Sequence, residues 1–209
     1  MPVTLDELAL GDDADAWAAA GFTVDAAASV CRVGAVSLRL LGSHSSTGVV
    51  GWSLRGIPAD LREIDGVPTT TSRPPATAPV AHANGATSID HVVMMSPHLQ
   101  RTTEALAGLG VAPRRERDAV LGGRPIRQIF FRFGEVIVEV VGSPDAQGDG
   151  PSTLWGITFA VADIDETAAF FGDRTAPVKD AVQPGRRITT LRHRELGMSV
   201  RTAFLSASR

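Results

Sequence analysis

The sequence predicts an α+β protein made of tandem strand–helix–strands units, with a degenerate copy at its N-terminus. Three observations predict it. The C-terminal part reads strand, helix, strands twice over. A Pro/Thr/Ala-rich stretch, residues 67–88, separates it from a shorter N-terminal part. Pieces of that N-terminal part also lie over the C-terminal part at a constant spacing of 100 residues: 31–42 (CRVGAVSLRLLG) matches 131–142 (FRFGEVIVEVVG), with Arg32 on Arg132, Gly34 on Gly134 and Gly42 on Gly142.

In the first C-terminal block, 89–95 (IDHVVMM) reads as a strand and 99–109 (LQRTTEALAGL) as an amphipathic helix stopped by Gly110, with Ser96 as a candidate cap. Residues 127–133 (RQIFFRF) and 135–141 (EVIVEVV) read as two strands joined by a turn at Gly134. In the second block, 154–161 is a strand and 165–171 a short helix that Asp163 or Asp165 could cap. Residues 187–192 and 199–205 are further strands. The N-terminal part adds 50–60 (VGWSLRGIPAD), which lies over 155–165 with Gly51 on Gly156, and AWAAAGF (16–22), which resembles ALAGLGV (105–111). The predicted organisation is residues 1–66 as a degenerate module plus a truncated second one, 67–88 as a linker strap, and 89–206 as a pair of modules, 89–143 and 153–206. The truncated unit is expected to keep only its first strand and helix.

Composition sets the broad class. With 209 residues the chain can bury about 70% of its unfolded surface, so it needs neither metal nor disulfide to fold. A net charge of −3 argues against nucleic-acid or anionic-membrane partners, which call for a positive field. Cys31, the single cysteine, excludes an intrachain disulfide and a Cys-rich zinc site, and reads as a core residue. No tyrosine is present, so no phenol takes part in any chemistry. The acidic N-terminus and the lack of a long apolar run give a cytoplasmic expectation.

Asp90-His91-Val92-Val93, the helix ending at Leu109-Gly110, and the run from Phe133-Gly134-Glu135 to Val141 resemble the vicinal oxygen chelate superfamily of glyoxalase I, extradiol dioxygenases and bleomycin-resistance proteins. The resemblance is good over 88–205 and weak over 1–66. It implies βαβββ modules that pair into a cup-shaped mixed sheet with the ligand inside. It also implies that metal ligands, where present, come from the first and last strands of each module. Those positions hold His91 and Glu139 in the third unit, Gly156 and Thr202 in the final one, and Arg39 and Gly51 in the N-terminal copy. Only His91 and Glu139 are ligand types.

The residues themselves say the following. His91 lies on a strand with Ile89, Val93 and Met95 on its face. Glu139 stands between Val138 and Val140 in a run that otherwise reads as buried. A carboxylate there costs several kcal/mol unless paired, and an imidazole is a natural partner; an edge position facing solvent is the other reading. A divalent metal on His91 and Glu139, with His193 or His98 as a third ligand, is one expectation. A metal-free dyad, in which Glu139 orients His91 as a general base, is another. Gly156, Thr158, Thr202 and Met95 are the expected substrate-binding lining, small enough on one wall for a bulky, partly apolar ligand. The arginines at 114, 115 and 117, and at 186–187, could clamp an anion at the mouth or be solvated loop residues. The expected function is binding of a small organic molecule, with lyase, isomerase or dioxygenase activity through His91 and Glu139. The alternative is metal-free sequestration of the bleomycin-resistance kind. The resemblance is compatible with a homodimer.

Overall fold

The computed structural model describes residues 2–44, 46–72 and 80–207. Among these residues the strands form one open, mixed sheet of fifteen strands. The first module comprises β1 (Thr4–Leu10), α1 (Ala14–Ala19), β2 (Val24–Asp25), β3 (Val30–Val33) and β4 (Val36–Leu40), and β4 lies parallel to β1. The second comprises β5 (Val49–Arg55), antiparallel to β1, and a hairpin of β6 (Glu63–Ile64) and β7 (Val67–Thr71), with β7 parallel to β5. The third is a full βαβββ unit: β8 (Ala86–Met95), α2 (Leu99–Ala107), β9 (Arg115–Leu121), β10 (Arg124–Phe133) and β11 (Val136–Gly142). The fourth is β12 (Thr153–Val161), α3 (Ile164–Phe171), β13 (Lys179–Asp180), β14 (Arg187–Thr190) and β15 (Arg201–Ser206). In each of the last two the final strand returns parallel to the first, β11 to β8 and β15 to β12.

Four points differ from the expectation. The truncated second unit has no helix; a hairpin stands in its place. Asp65 and Gly66 both take positive φ, 50° and 84°, the signature of a tight two-residue hairpin turn. That turn brings Ile64 and Val67 into the core at 3% and 2% exposure. The 67–88 stretch is also not continuous loop: β7 occupies its start and β8 its end, and its centre, 73–79, lies outside the described residues. Finally, β9 (RERDAVL) had no strand signal, because it is a polar strand at the sheet edge, where charge is tolerated. Ser96 does not cap α2; His98 holds that place, and Ser96 Oγ accepts from the His98 backbone N–H. Asp163 caps α3 as expected, accepting from the Asp165 and Glu166 backbone N–H groups.

The N-terminal module packs on the fourth through aromatic rings. Trp17 meets Phe22 at 4.9 Å and Phe159 at 6.1 Å, and Phe159, Phe171 and Phe204 continue the cluster. Each fully buried ring contributes about 1.5–3 kcal/mol. Asp12, 1% exposed, fixes the same seam: it accepts from Trp17 Nε1 at 3.0 Å and from the Ser199 backbone N–H at 2.7 Å. The start of β15 is thereby anchored to the first module.

Candidate functional site

The site begins with a bulge. In the antiparallel pair β8/β12, Thr158 stands opposite His91 and Phe159 opposite Ile89, so Asp90 has no partner. Neighbours in a regular strand point to opposite faces; a bulge re-aims them. His91 Nδ1 and Asp90 Oδ2 therefore meet at 2.8 Å although adjacent in sequence. Ile89, which simple alternation places beside His91, lies instead in the core with Phe159, at 3% exposure. Arg186 Nη1 reaches Asp90 Oδ1 at 2.6 Å, and its Nε donates to the Ser206 carbonyl at 2.7 Å.

Glu139 is carried by β11, where it is registered with Val93 of β8. Its Oε2 stands 3.7 Å from His91 Nε2, beyond hydrogen-bond length, and both side chains are mostly buried. Its Oε1 accepts from Gln128 Nε2, and Gln128 Oε1 accepts from Arg117 Nε at 2.9 Å. One polar chain thus crosses the cup floor: Arg117, Gln128, Glu139, His91, Asp90, Arg186.

Electrostatics sets the tautomer. Burial pushes the Asp90 carboxyl up, but the hydrogen bonds from His91 and Arg186, with their charge, outweigh it and hold Asp90 below the usual carboxylate range. An ionised Asp90 accepts the Nδ1–H of His91. In the neutral imidazole this leaves the Nε2 lone pair facing the space beside Glu139.

That space is a cavity of about 530 Å³, lined by His91, Glu139, Gly156, Thr158 and His193 together with the apolar Val93, Trp155, Ile157 and Leu191. A second, of about 570 Å³, shares His91, Glu139 and Ile188 and opens towards Arg114, Arg115 and Lys179. Of the residues expected from sequence, His91, Glu139, Gly156, Thr158, Thr202 and His193 border the first cavity; Met95 borders neither. The Thr202 hydroxyl donates to the Val200 carbonyl, and the residue is registered with buried Ile157. His193 sits in the turn His193–Leu196; burial and the nearby Arg201 and Arg194 charges push its imidazole below the ordinary value. A Cβ on Gly156 would meet the Arg201 carbonyl oxygen at 2.8 Å, so close approach of β15 dictates glycine.

The first two modules repeat this register. Glu7 pairs with Ser53 as His91 does with Thr158, and Arg39 is registered with Ala9 as Glu139 is with Val93. The bulge recurs at Asp6, which stands where Asp90 does. Gly51 also repeats Gly156, its Cβ position 2.8 Å from the Pro68 carbonyl oxygen. In this copy the facing pair is Glu7 and Arg39, closed by two hydrogen bonds of 2.8 Å, and Asp6 is closed by Arg55 at 3.0 Å and Ser72 at 2.5 Å. The N-terminal pair satisfies itself; His91 Nε2 and Glu139 Oε2 are left facing each other without a hydrogen bond.

His91 and Glu139 do not fit a catalytic metal, which generally takes three protein ligands. At the corresponding place on the fourth module the sequence has Gly156, and β15 offers Arg201 and Ala203. Among the described residues no group of three or more His, Cys, Asp or Glu side chains is placed to hold an ion.

Sequence reasoning missed Asp90 and Gln128 as members of the site. The Asp-His dipeptide inside a strand was the available signal for Asp90, but only the bulge turns both residues one way. Arg117 and Arg186 were singled out as mouth residues; they instead end the polar chain on the floor.

No family model matches the sequence, and no curated protein matches it. Solved structures do. A triple mutant of 4-hydroxymandelate synthase from Streptomyces coelicolor superposes with a TM-score of 0.70 at 15% identity, covering 100% of this chain and 94% of that one. Methylmalonyl-CoA epimerase from Mycobacterium tuberculosis gives 0.47 at 14% identity, covering 60% of this chain and 91% of its own. The S. coelicolor epimerase gives 0.45 at 20%, covering 59% and 96%. The first likeness spans the whole chain: the chain carries the fold of that synthase, one mixed sheet built of tandem modules in which each last strand returns parallel to the first.

Proposed function

We propose that the cup binds a small organic molecule and that His91 removes a proton from a carbon next to its carbonyl group, an isomerase- or lyase-type proton transfer. The observation that carries this is the Asp90–His91 hydrogen bond at 2.8 Å, with Nε2 free and facing Glu139. Asp90 fixes the ring and its tautomer. Nε2 takes the proton as a general base, and Glu139 at 3.7 Å stabilises the imidazolium that forms. No step draws on a metal, because the donor set supplies two ligands where three are needed.

A second reading is supported by the apolar wall of Val93, Trp155, Ile157 and Leu191: the same cup without turnover is a binding or sequestration protein. One experiment separates the two. The protein is incubated in D2O with a panel of ketones and of oxo acids whose ketone lies several bonds from the acid group, and deuterium uptake at the carbon next to the ketone is followed by NMR. Uptake that disappears in His91→Ala supports the general base. Uptake that persists in His91→Ala sinks it, and binding without uptake in the wild type favours sequestration.

A further inference from the structure

The rims of the cup carry a charge excess that the proton-transfer chemistry does not use. One cross-strand row runs through registered residues from Arg115 on β9 to Phe130, Glu139, Val93, Gly156 and finally Arg201 on β15. An arginine stands at each end, and each lies over an aromatic ring: Arg115 over Phe130 at 5.8 Å, Arg201 over Trp155 at 4.6 Å. Around the two cavities there are seven cationic side chains and four carboxylates, in a chain whose net charge is −3. Of those carboxylates, Asp90 is taken by Arg186 and His91, and Glu139 by Gln128. A cleft lined by one sign of charge concentrates ligands of the other.

The two cavities differ in kind. The one beside Trp155 is walled mainly by apolar side chains. The other exposes Arg114, Arg115 and Lys179, none of which forms an ion pair among the described residues. His91 and Glu139 lie where the two meet. The Arg115 guanidinium stands over β10, two strand spacings from β8, or about 10 Å.

We infer that the ligand is an organic anion with an apolar body. The body occupies the cavity beside Trp155, the chain passes over His91 and Glu139, and the carboxylate or phosphate rests against Arg114, Arg115 and Lys179. This rests on the cup being the ligand site, as proposed above. The 10 Å separation asks for several bonds between acid group and reacting carbon, so a two-carbon acid is too short.

Isothermal titration with octanoate, octyl phosphate and 1-octanol tests it. The two anions are expected to bind more tightly than the neutral alcohol, and the tighter of them tells which acid group the rim prefers. Arg114→Gln combined with Arg115→Gln should weaken both anions about tenfold or more and leave 1-octanol unchanged. Lys179→Gln alone should weaken them several-fold, and an unchanged thermal transition shows that the variants fold. Anion affinity unaffected by these changes, 1-octanol binding as tightly as the anions, or no measurable binding of either anion overturns the inference. The D2O readout is independent: loss of deuterium exchange with arginine-dependent anion binding intact sinks the general base alone, whereas exchange without anion preference sinks this inference alone.

Discussion

His91 Nε2 and Glu139 Oε2 face each other at 3.7 Å, where the first module closes its equivalent pair, Glu7 and Arg39, with two 2.8 Å hydrogen bonds. The same fold position thus exists in a closed and an open version within one chain. Replacing His91 by Glu together with Glu139 by Arg should install the closed version. The expected result is a folded protein whose α-proton exchange is lost and whose stability falls by about 1–3 kcal/mol, since the mostly buried Asp90 loses its bond from His91. Urea unfolding and the D2O assay check both halves. Retained exchange in this double variant would show that the open pair is not the reactive one.

Gly156 is required by its neighbour. Gly156→Ala should cost about 1–3 kcal/mol, the range for forcing extra atoms into a packed site, because the new methyl meets the Arg201 carbonyl at 2.8 Å. Gly51→Ala should cost a similar amount through the Pro68 carbonyl. Denaturant midpoints of the two variants give the comparison. A neutral Gly156→Ala would mean that β15 moves away freely.

Asp90 gives a pH signature of defined sign. Its folded pKa lies below the unfolded value, because the bonds from His91 and Arg186 outweigh burial. The stability it contributes is therefore complete above about pH 4, the unfolded value, and is lost as pH falls through the lower folded value. Asp90→Asn should be less stable than the wild type near neutral pH, and that gap should narrow as pH falls below about 4. Urea titrations across this range measure it; a gap that widens on acidification contradicts the assignment.

Cys31 should be inert. It is fully buried, and burial pushes its thiol up to about 12, so almost no thiolate exists at neutral pH. Ellman's reagent should label no thiol in the native protein and one per chain in denaturant. Rapid native labelling would show that the β3–β4 hairpin opens readily.

The sequence by itself determined the modular plan. The alternating strands of the third and fourth modules, the Asp163 cap and the offset of 100 residues between β3–β4 and β10–β11 are local patterns, and local patterns survive in a string of letters. It also picked out His91 and Glu139, because a carboxylate and an imidazole inside apolar strands are costly enough to stand out. The second module departs from the helix that its repeat suggests because Asp65 and Gly66, both at positive φ, turn the chain straight back so that Ile64 pairs with Val67. What only the tertiary structure decided is how those residues are used. A bulge shifts register by one residue, and that single shift moves Asp90 to the side of His91 and Ile89 into the core. Gly156 could pass for an emptied ligand position until the Arg201 carbonyl is seen against it. Arg117 and Arg186 lie far from His91 along the chain, and only the sheet brings them to the two ends of one line of polar side chains. Side-chain period and apolar pattern are properties of the chain, but pairing register and the approach of distant backbone arise only when strands meet.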